Sequence, residues 1–339
     1  MVLRRPYVNT TRGVLVVSTS PRDYLTGEFH FLAPKTDSSL YRNDRVRMTR
    51  DDRGNFVDSE GVETKSYEIA VNNARELSSS SSMNLVKNGF ELLENSVPEY
   101  DFMDHQEVIS SYYRDCEQIV GEVTNARVWA FDHNIRSAGG SAEKRRVKGG
   151  QDVQGPAHIV HGDYTLRSAR ERLQQLTKAS SVNDTLREVI PEGQGLISEE
   201  LAKPALGGNE RFAIINVWRN IESTPVATHP LALCDGQTVE PEDLVVFEIH
   251  MPDRVGENYW AKYDKRHTFY CYPDMVRSEA LLIKQWDSAG LLAQSDGSKG
   301  DNQADGPCTF SFHSAFNDAQ TPPDAPDRWS IEVRCMVLY

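Results

Sequence analysis

The chain has 339 residues, 39% hydrophobic and 26% charged, with ample apolar side chain for a core. Its formal net charge of −13 argues against nucleic acid or an anionic membrane surface as partner, since both draw on clustered Lys and Arg. The length suits one catalytic core with elaborations better than a string of modules.

The opening MVLRRPYVNTT lacks the apolar centre of a secretory leader, and no run approaches the roughly 18 apolar residues of a membrane span. Cys116, Cys234, Cys271, Cys308 and Cys335 are scattered and never in CxxC spacing, which fits reduced thiols in a cytoplasmic protein. Residues 1 to about 80 alternate short apolar and polar runs ("GVLVVSTS", "GEFHFLAP", "SYEIAVNNA") and predict strands and turns. The run "SSSSSM" from Ser78 is a low-complexity break. Residues 1–82 are therefore expected as a β-rich extension packed on a core of residues 83–339, together one structural unit.

From about 83 to 122 the spacing turns helical. Val108, Ile109, Tyr112, Tyr113, Cys116, Ile119 and Val120 recur at i, i+3, i+4 and i+7. "ARVWAFDHNIR" then reads as a strand. Residues 137–156, "SAGGSAEKRRVKGGQDVQGP", form a Gly-rich basic loop of the length that lids have. "IVHGDYT" at 159–165 is strand-like, and "RSARERLQQL" is helical. Short strands follow in "RFAIINVWRNI", "DLVVFEIHM", "RHTFYCYP", "CTFSFHSAF" and "RWSIEVRCMVLY", while "DMVRSEALLIKQW" reads as a helix. Many short strands after a helical section predict a mainly β fold, a sandwich or jelly roll with flanking helices.

His161 and Asp163 lie two apart on a strand and so share a face, with Gly162 leaving room between them. Two such ligands suggest an iron site of the two-His, one-carboxylate type, which needs a third ligand and open positions. His267 and His313 are the candidates. Downstream of His313, Arg328 and Ser330 share a strand face, and an Arg fork with a neighbouring hydroxyl can hold a carboxylate. Arg277 follows His267, but in the segment read as helix. This favours His313 and leaves His267 as the alternative. Arg334 has the parity of Arg328 and is either a second cation in the site or the partner of Glu332. Arg219, in "NVWRN", is either a cosubstrate or substrate ligand or half of a salt bridge. Tyr270 and Tyr272 are expected in the core, His133 is expected to be structural, and Lys144, Arg145, Arg146 and Lys148 form a solvated loop or one that closes over an anion.

The segments "NGFELLENSVPEYDF", "ARVWAFDHNIR", "HGDYT", "NVWRNI", "HPLALCD", "HTFYCYPDM", "LLIKQWDS", "FHSAF" and "RWSIEVR" occur in the order seen in the CmcJ/NvfI oxidoreductases, the AsaB-like hydroxylase/desaturase family. The chain resembles that family from about residue 65 to its end. The resemblance implies a double-stranded β-helix (jelly roll, cupin-like) core. It also implies an oxygenase of specialised metabolism using Fe(II), 2-oxoglutarate and O2, with His161, Asp163 and His313 as metal ligands and Arg328 on the cosubstrate. Trp329 stands where the family pattern often has an acidic residue. The outcome open to such an enzyme is hydroxylation, desaturation or ring closure. The surplus of Arg candidates points to a small, amino-acid-derived substrate whose carboxylate would pair with Arg219 or Arg334. The alternative function is a non-catalytic subunit presenting substrate to a partner such as a methyltransferase.

Overall fold

The computed structural model describes residues 24–51, 56–78, 82–181, 184–252, 254–295, 297 and 306–339. The expected strand "GVLVVSTS" and Ser79 to Ser81 lie outside the described residues. In chain order the strands are β1 (Tyr24–Leu32), β2 (Arg47–Arg50), β3 (Phe56–Glu60), β4 (Thr64–Asn73), β5 (Phe90–Glu94), β6 (Arg127–Arg136), β7 (His161–Gly162) and β8 (Phe212–Asn220). They continue with β9 (Leu231–Cys234), β10 (Leu244–His250), β11 (Val255–Ala261), β12 (Phe269–Cys271), β13 (Glu279–Asp287), β14 (His313–Ala315), β15 (Asn317–Asp318) and β16 (Ser330–Leu338). The helices are α1 (His105–Glu107), running through a π turn at Val108–Tyr112 into α2 (Tyr113–Thr124), then α3 (Ala138–Ala142), α4 (Ser168–Leu176) and α5 (Glu199–Leu206). The fold is mainly β with flanking helices.

The strands form two sheets. One has eleven strands in the order β15-β1-β4-β12-β9-β14-β7-β11-β10-β2-β3, and the other five in the order β5-β13-β8-β16-β6. The N-terminal strands belong to the larger sheet: β1 pairs with β4 along nine residues, β4 runs parallel to β12, and β2 runs parallel to β10.

Alternation along the central strands of the smaller sheet builds two cores. Ile215, Val217, Ile331, Val333, Cys335 and Val337 pack outward against the helical side chains Val108, Ile109, Tyr112, Cys116, Ile119 and Val120. The helix ends where Asn125 takes a left-handed conformation (φ 52°) and its N–H returns to Gly121 O at 2.8 Å. Ile214, Phe212, Met336 and Leu338 face the other way, in one cluster with Phe29, Phe31, Phe269, Phe310 and Phe312 of the larger sheet and its loops. The candidate site lies on this inner side.

Two stretches expected as helix are strands, while the periodic part of the 83–122 segment is helical from His105 to Thr124 as expected. "DMVRSEALLIKQW" contains β13, and the start of the 83–122 segment contains β5. Every residue of β13 is buried, because β5 and β8 pair on its two edges and its faces meet separate apolar clusters. Tertiary pairing therefore overrides the helix-forming Glu, Ala, Leu, Lys and Gln. The 137–156 loop carries α3 and folds back beside β6, where Gln154 N donates to Ile135 O at 2.9 Å and Ser137 N to Gln154 O at 2.9 Å.

Candidate metal centre

The two-residue strand β7 sits between β14 and β11, with His161 opposite His313 on one side and Trp260 on the other. The two imidazoles are 4.4 Å apart between ring centroids. Each is turned by its own backbone. His161 Nδ1 is 2.8 Å from Ile159 O, and His313 Nδ1 is 3.4 Å from Ser311 O. A protonated Nδ1 donating to these carbonyls leaves each Nε2 with a free lone pair. Both Nε2 atoms face Asp163 Oδ1, at 3.6 Å from His161 and 3.9 Å from His313. One ligand atom from each of the three residues falls within 4.8 Å of the others.

Asp163 is held from behind. Its Oδ2 accepts from Asn216 Nδ2 at 3.1 Å and Arg334 Nε at 3.4 Å, and its N–H donates to Gln285 Oε1 at 3.2 Å. Burial alone would raise its pKa, but Arg334, the two histidines and Asn216 hold it well below the usual carboxylate range. Burial pushes His161 down to about 4, and lowers His313 also. The cluster is thus two neutral imidazoles and a carboxylate at neutral pH, the state that binds a divalent cation without first losing protons.

The inner face of the smaller sheet supplies the surroundings. Across β6, β16 and β8 its register gives three rungs: Arg136, Ser330 and Asn220; Asn134, Glu332 and Trp218; Asp132, Arg334 and Asn216. Arg334 binds Asp163 and also Asp132 (2.9 Å) and Glu332 (3.5 Å). Despite burial these three carboxylates raise its pKa. Arg328 lies just before β16, 3% exposed, with its guanidinium over the Trp218 ring and one Nη donating to His229 O. Its Nε and the Ser330 hydroxyl, both buried, have no hydrogen-bond partner among the described residues. Burial, then the Arg136 charge, lowers the Arg328 pKa to about 10. A buried cation and hydroxyl left without an anion fit an incoming carboxylate.

Other residues singled out in the sequence lie elsewhere. His267 is buried among Phe31, Phe269 and Phe312, with Nε2 3.0 Å from Asp243 Oδ2, outside the cluster. Arg219 points to the outer, helical face. Its guanidinium is taken up by Tyr112 Oη, Asn95 O and Oδ1, Arg277 O and Glu279 O, so it is removed from the cosubstrate-binding set. Tyr270 and Tyr272 pack on Phe90, and His133 meets Tyr113 Oη at 2.8 Å. In the basic loop, Arg145 stacks on Trp329 (4.6 Å), Arg146 lies 3.8 Å from Asp152, and Lys148 lies 2.6 Å from Asp104. Asn216, Gln285 and Arg136 were missed. Asn216 shares the motif "NVWRN" with Arg219 but has the opposite parity. A cavity of about 400 Å³ lined by Arg170, Arg211, Phe212 and Trp286 is separate from all of the predicted site residues.

The family described as "Oxidoreductase/YMDC permease-like domain" matches residues 29–338. The chain belongs to this family. An uncharacterized protein in the dcmA 3' region of Methylophilus leisingeri is 36% identical over 198 residues, covering 58% of this chain and 90% of that protein. The hydroxylase/desaturase efuI of Hormonema carpetanum is 26% identical over 301 residues, covering 85% and 88%. The solved iron and alpha-ketoglutarate-dependent endoperoxidase NvfI superposes with a TM-score of 0.68 at 22% identity, covering 94% of this chain and 99% of that one. The likeness to NvfI shows a shared fold. With these matches the resemblance to the hydroxylase/desaturase family is borne out.

Proposed function

We propose that the chain is a non-heme Fe(II)/2-oxoglutarate-dependent oxygenase acting on a small molecule. The observation that carries this reading is the convergence of His161 Nε2, His313 Nε2 and Asp163 Oδ1, each oriented by a hydrogen bond from its other side. Two imidazoles and one carboxylate with open positions suit iron(II). The names of efuI and NvfI support the same chemistry. The strand order supports a double-stranded β-helix in which β6, β16, β8 and β13 face β7, β14, β9 and β12. In this reading the described part of residues 1–82 forms a β-rich extension of the core at 83–339.

His161, Asp163 and His313 would hold the metal, and Arg328 with Ser330 the far carboxylate of 2-oxoglutarate. When bound, iron(II), 2-oxoglutarate and O2 together supply an oxidant strong enough to take a hydrogen atom from an unactivated C–H bond. The protein's share is orientation and exclusion of water. Arg334 and Asn216 occupy Oδ2 of Asp163 and so turn Oδ1 toward the histidines. The Trp218 ring and the buried walls keep the clamp around Arg328 dry, where a charge-assisted contact is strongest. Arg219 and Arg334, which motivated a carboxylate-bearing substrate, are both engaged within the protein and so no longer argue for one.

The test is succinate release by the iron-loaded protein with 2-oxoglutarate, with no partner protein present. Single His161→Ala, Asp163→Ala and His313→Ala variants should each stay folded and lose bound iron and turnover. Retention of iron and turnover by His313→Ala would defeat the proposal.

A further inference from the structure

Arg136 closes β6 directly opposite Ser330 of β16, on the same inner face as Asp132 and Asn134. Leading into and along β16 the order is Arg328, then Ser330 beside Arg136, then Glu332, then Arg334 against Asp163. Arg136 therefore lies between the Arg328 clamp and the carboxylate of the metal cluster, with Ser330 and Arg328 two residues or about 7 Å apart along the strand. Its guanidinium has five N–H donors. One of them donates to Gly155 O at 2.9 Å, and no carboxylate is within ion-pair distance among the described residues. Arg334, on the same face, has three such carboxylates. Buried Arg328 feels the Arg136 charge, and Glu332 on the same face acts on both cations. Two arginines, 136 and 328, thus flank one unpartnered hydroxyl, and neither has an ion-pair partner among the described residues, in a chain of net charge −13. Like charges arranged this way are tolerated when a ligand supplies the missing negative charge.

We propose that Arg136 holds the carboxylate of 2-oxoglutarate next to the metal while Arg328 and Ser330 hold the distant one. This rests on the oxygenase reading above and deepens it: the cosubstrate site is a two-arginine clamp for a dianion. Gly155 O fixes one arm of the fork, so the 137–156 segment sets the direction of the other.

The experiment is calorimetric binding to the iron(II)-loaded protein without O2, using 2-oxoglutarate and, separately, pyruvate, which has the 2-oxo acid end but no far carboxylate. Arg136→Gln should weaken both ligands by at least about tenfold, the loss of one charge-assisted contact. Arg328→Ala should weaken 2-oxoglutarate and leave pyruvate unchanged. Arg136→Lys, which keeps the charge but not the fork, should also weaken both, and it decides the matter if the Gln variant does not fold. Unchanged affinity of either folded Arg136 variant for both ligands overturns the proposal. So does a loss seen with 2-oxoglutarate but not pyruvate, which would put Arg136 at the far end. Absence of any 2-oxoglutarate binding by the unmutated, iron-loaded protein would instead overturn the oxygenase reading, before Arg136 is reached.

Discussion

Replacing Arg219 with Met should weaken the fold and leave cosubstrate binding intact. Arg219 is 1% exposed, and its guanidinium ties three segments to β8: Tyr112 on the helical side, Asn95 after β5, and Arg277 and Glu279 at the start of β13. Its contacts to Asn95 O and Arg277 O are 2.7 Å each. Removing one member of a buried charged network costs roughly 3–5 kcal/mol. Here the orphans left behind are neutral carbonyls and a phenol, and Met retains much of the volume, so about 3 kcal/mol is expected. A chain of 339 residues loses about 0.7 kcal/mol of stability per kelvin near its midpoint, so Tm should fall by about 4 °C. The assay pairs thermal and urea unfolding with the 2-oxoglutarate affinity of the folded variant. A variant as stable as the parent but with weakened 2-oxoglutarate binding would refute the placement of Arg219 on the outer face.

Three further outcomes are expected. Arg328→Ala should weaken 2-oxoglutarate binding by about ten- to a hundredfold and Ser330→Ala by about fivefold, read by calorimetry; equal affinities would remove both from the clamp. Asp287, fully buried against Arg211 (2.5 Å) and Lys284 (3.0 Å), has its pKa lowered by these cations in spite of burial, so the stability it adds is complete above its unfolded pKa of about 4 and is lost as pH falls through the lower folded value. Asp287→Asn should therefore be less stable at neutral pH and show a flatter acid limb in urea midpoints; identical limbs would exclude Asp287 as the titrating group. Gly140→Ala places a Cβ 2.5 Å from the Trp329 ring, which should lower stability by about 1–3 kcal/mol and hasten proteolysis within 137–156; unchanged cleavage would mean that Trp329 does not anchor the loop.

What was legible in the sequence is what strand parity and short range dictate. His161 and Asp163 share a face because they are two residues apart, and Arg328, Ser330 and Arg334 share one for the same reason. The choice of His313 over His267 rested on the residues that follow each, and the fold sets His313 opposite His161 while His267 is closed into an aromatic nest with Asp243. Parity does not say which face turns inward when both are buried. In β8 every residue is buried, so "NVWRN" offered Asn216 and Arg219 on opposite sides with nothing local to separate them. The charged residue drew attention, yet the amide grips Asp163. Outward Arg219 finds carbonyls from segments more than 50 residues away in sequence, and inward Arg334 finds Asp132 and Asp163 from about 200 and 170 residues away. The same distance effect explains β13. Its composition favours a helix, while its partners β5 and β8 are remote in the chain. Arg136 escaped notice because it is the last residue of its strand and has no charged neighbour to announce a role. Its meaning comes only from the cross-strand register that sets it beside Ser330. The residues that bind backward into the protein and those left facing a ligand therefore look alike in sequence. They separate only when each cation's partners are counted: Arg334 has its carboxylates and Arg219 its carbonyls, while Arg136 and Arg328 have no ion-pair partner among the described residues.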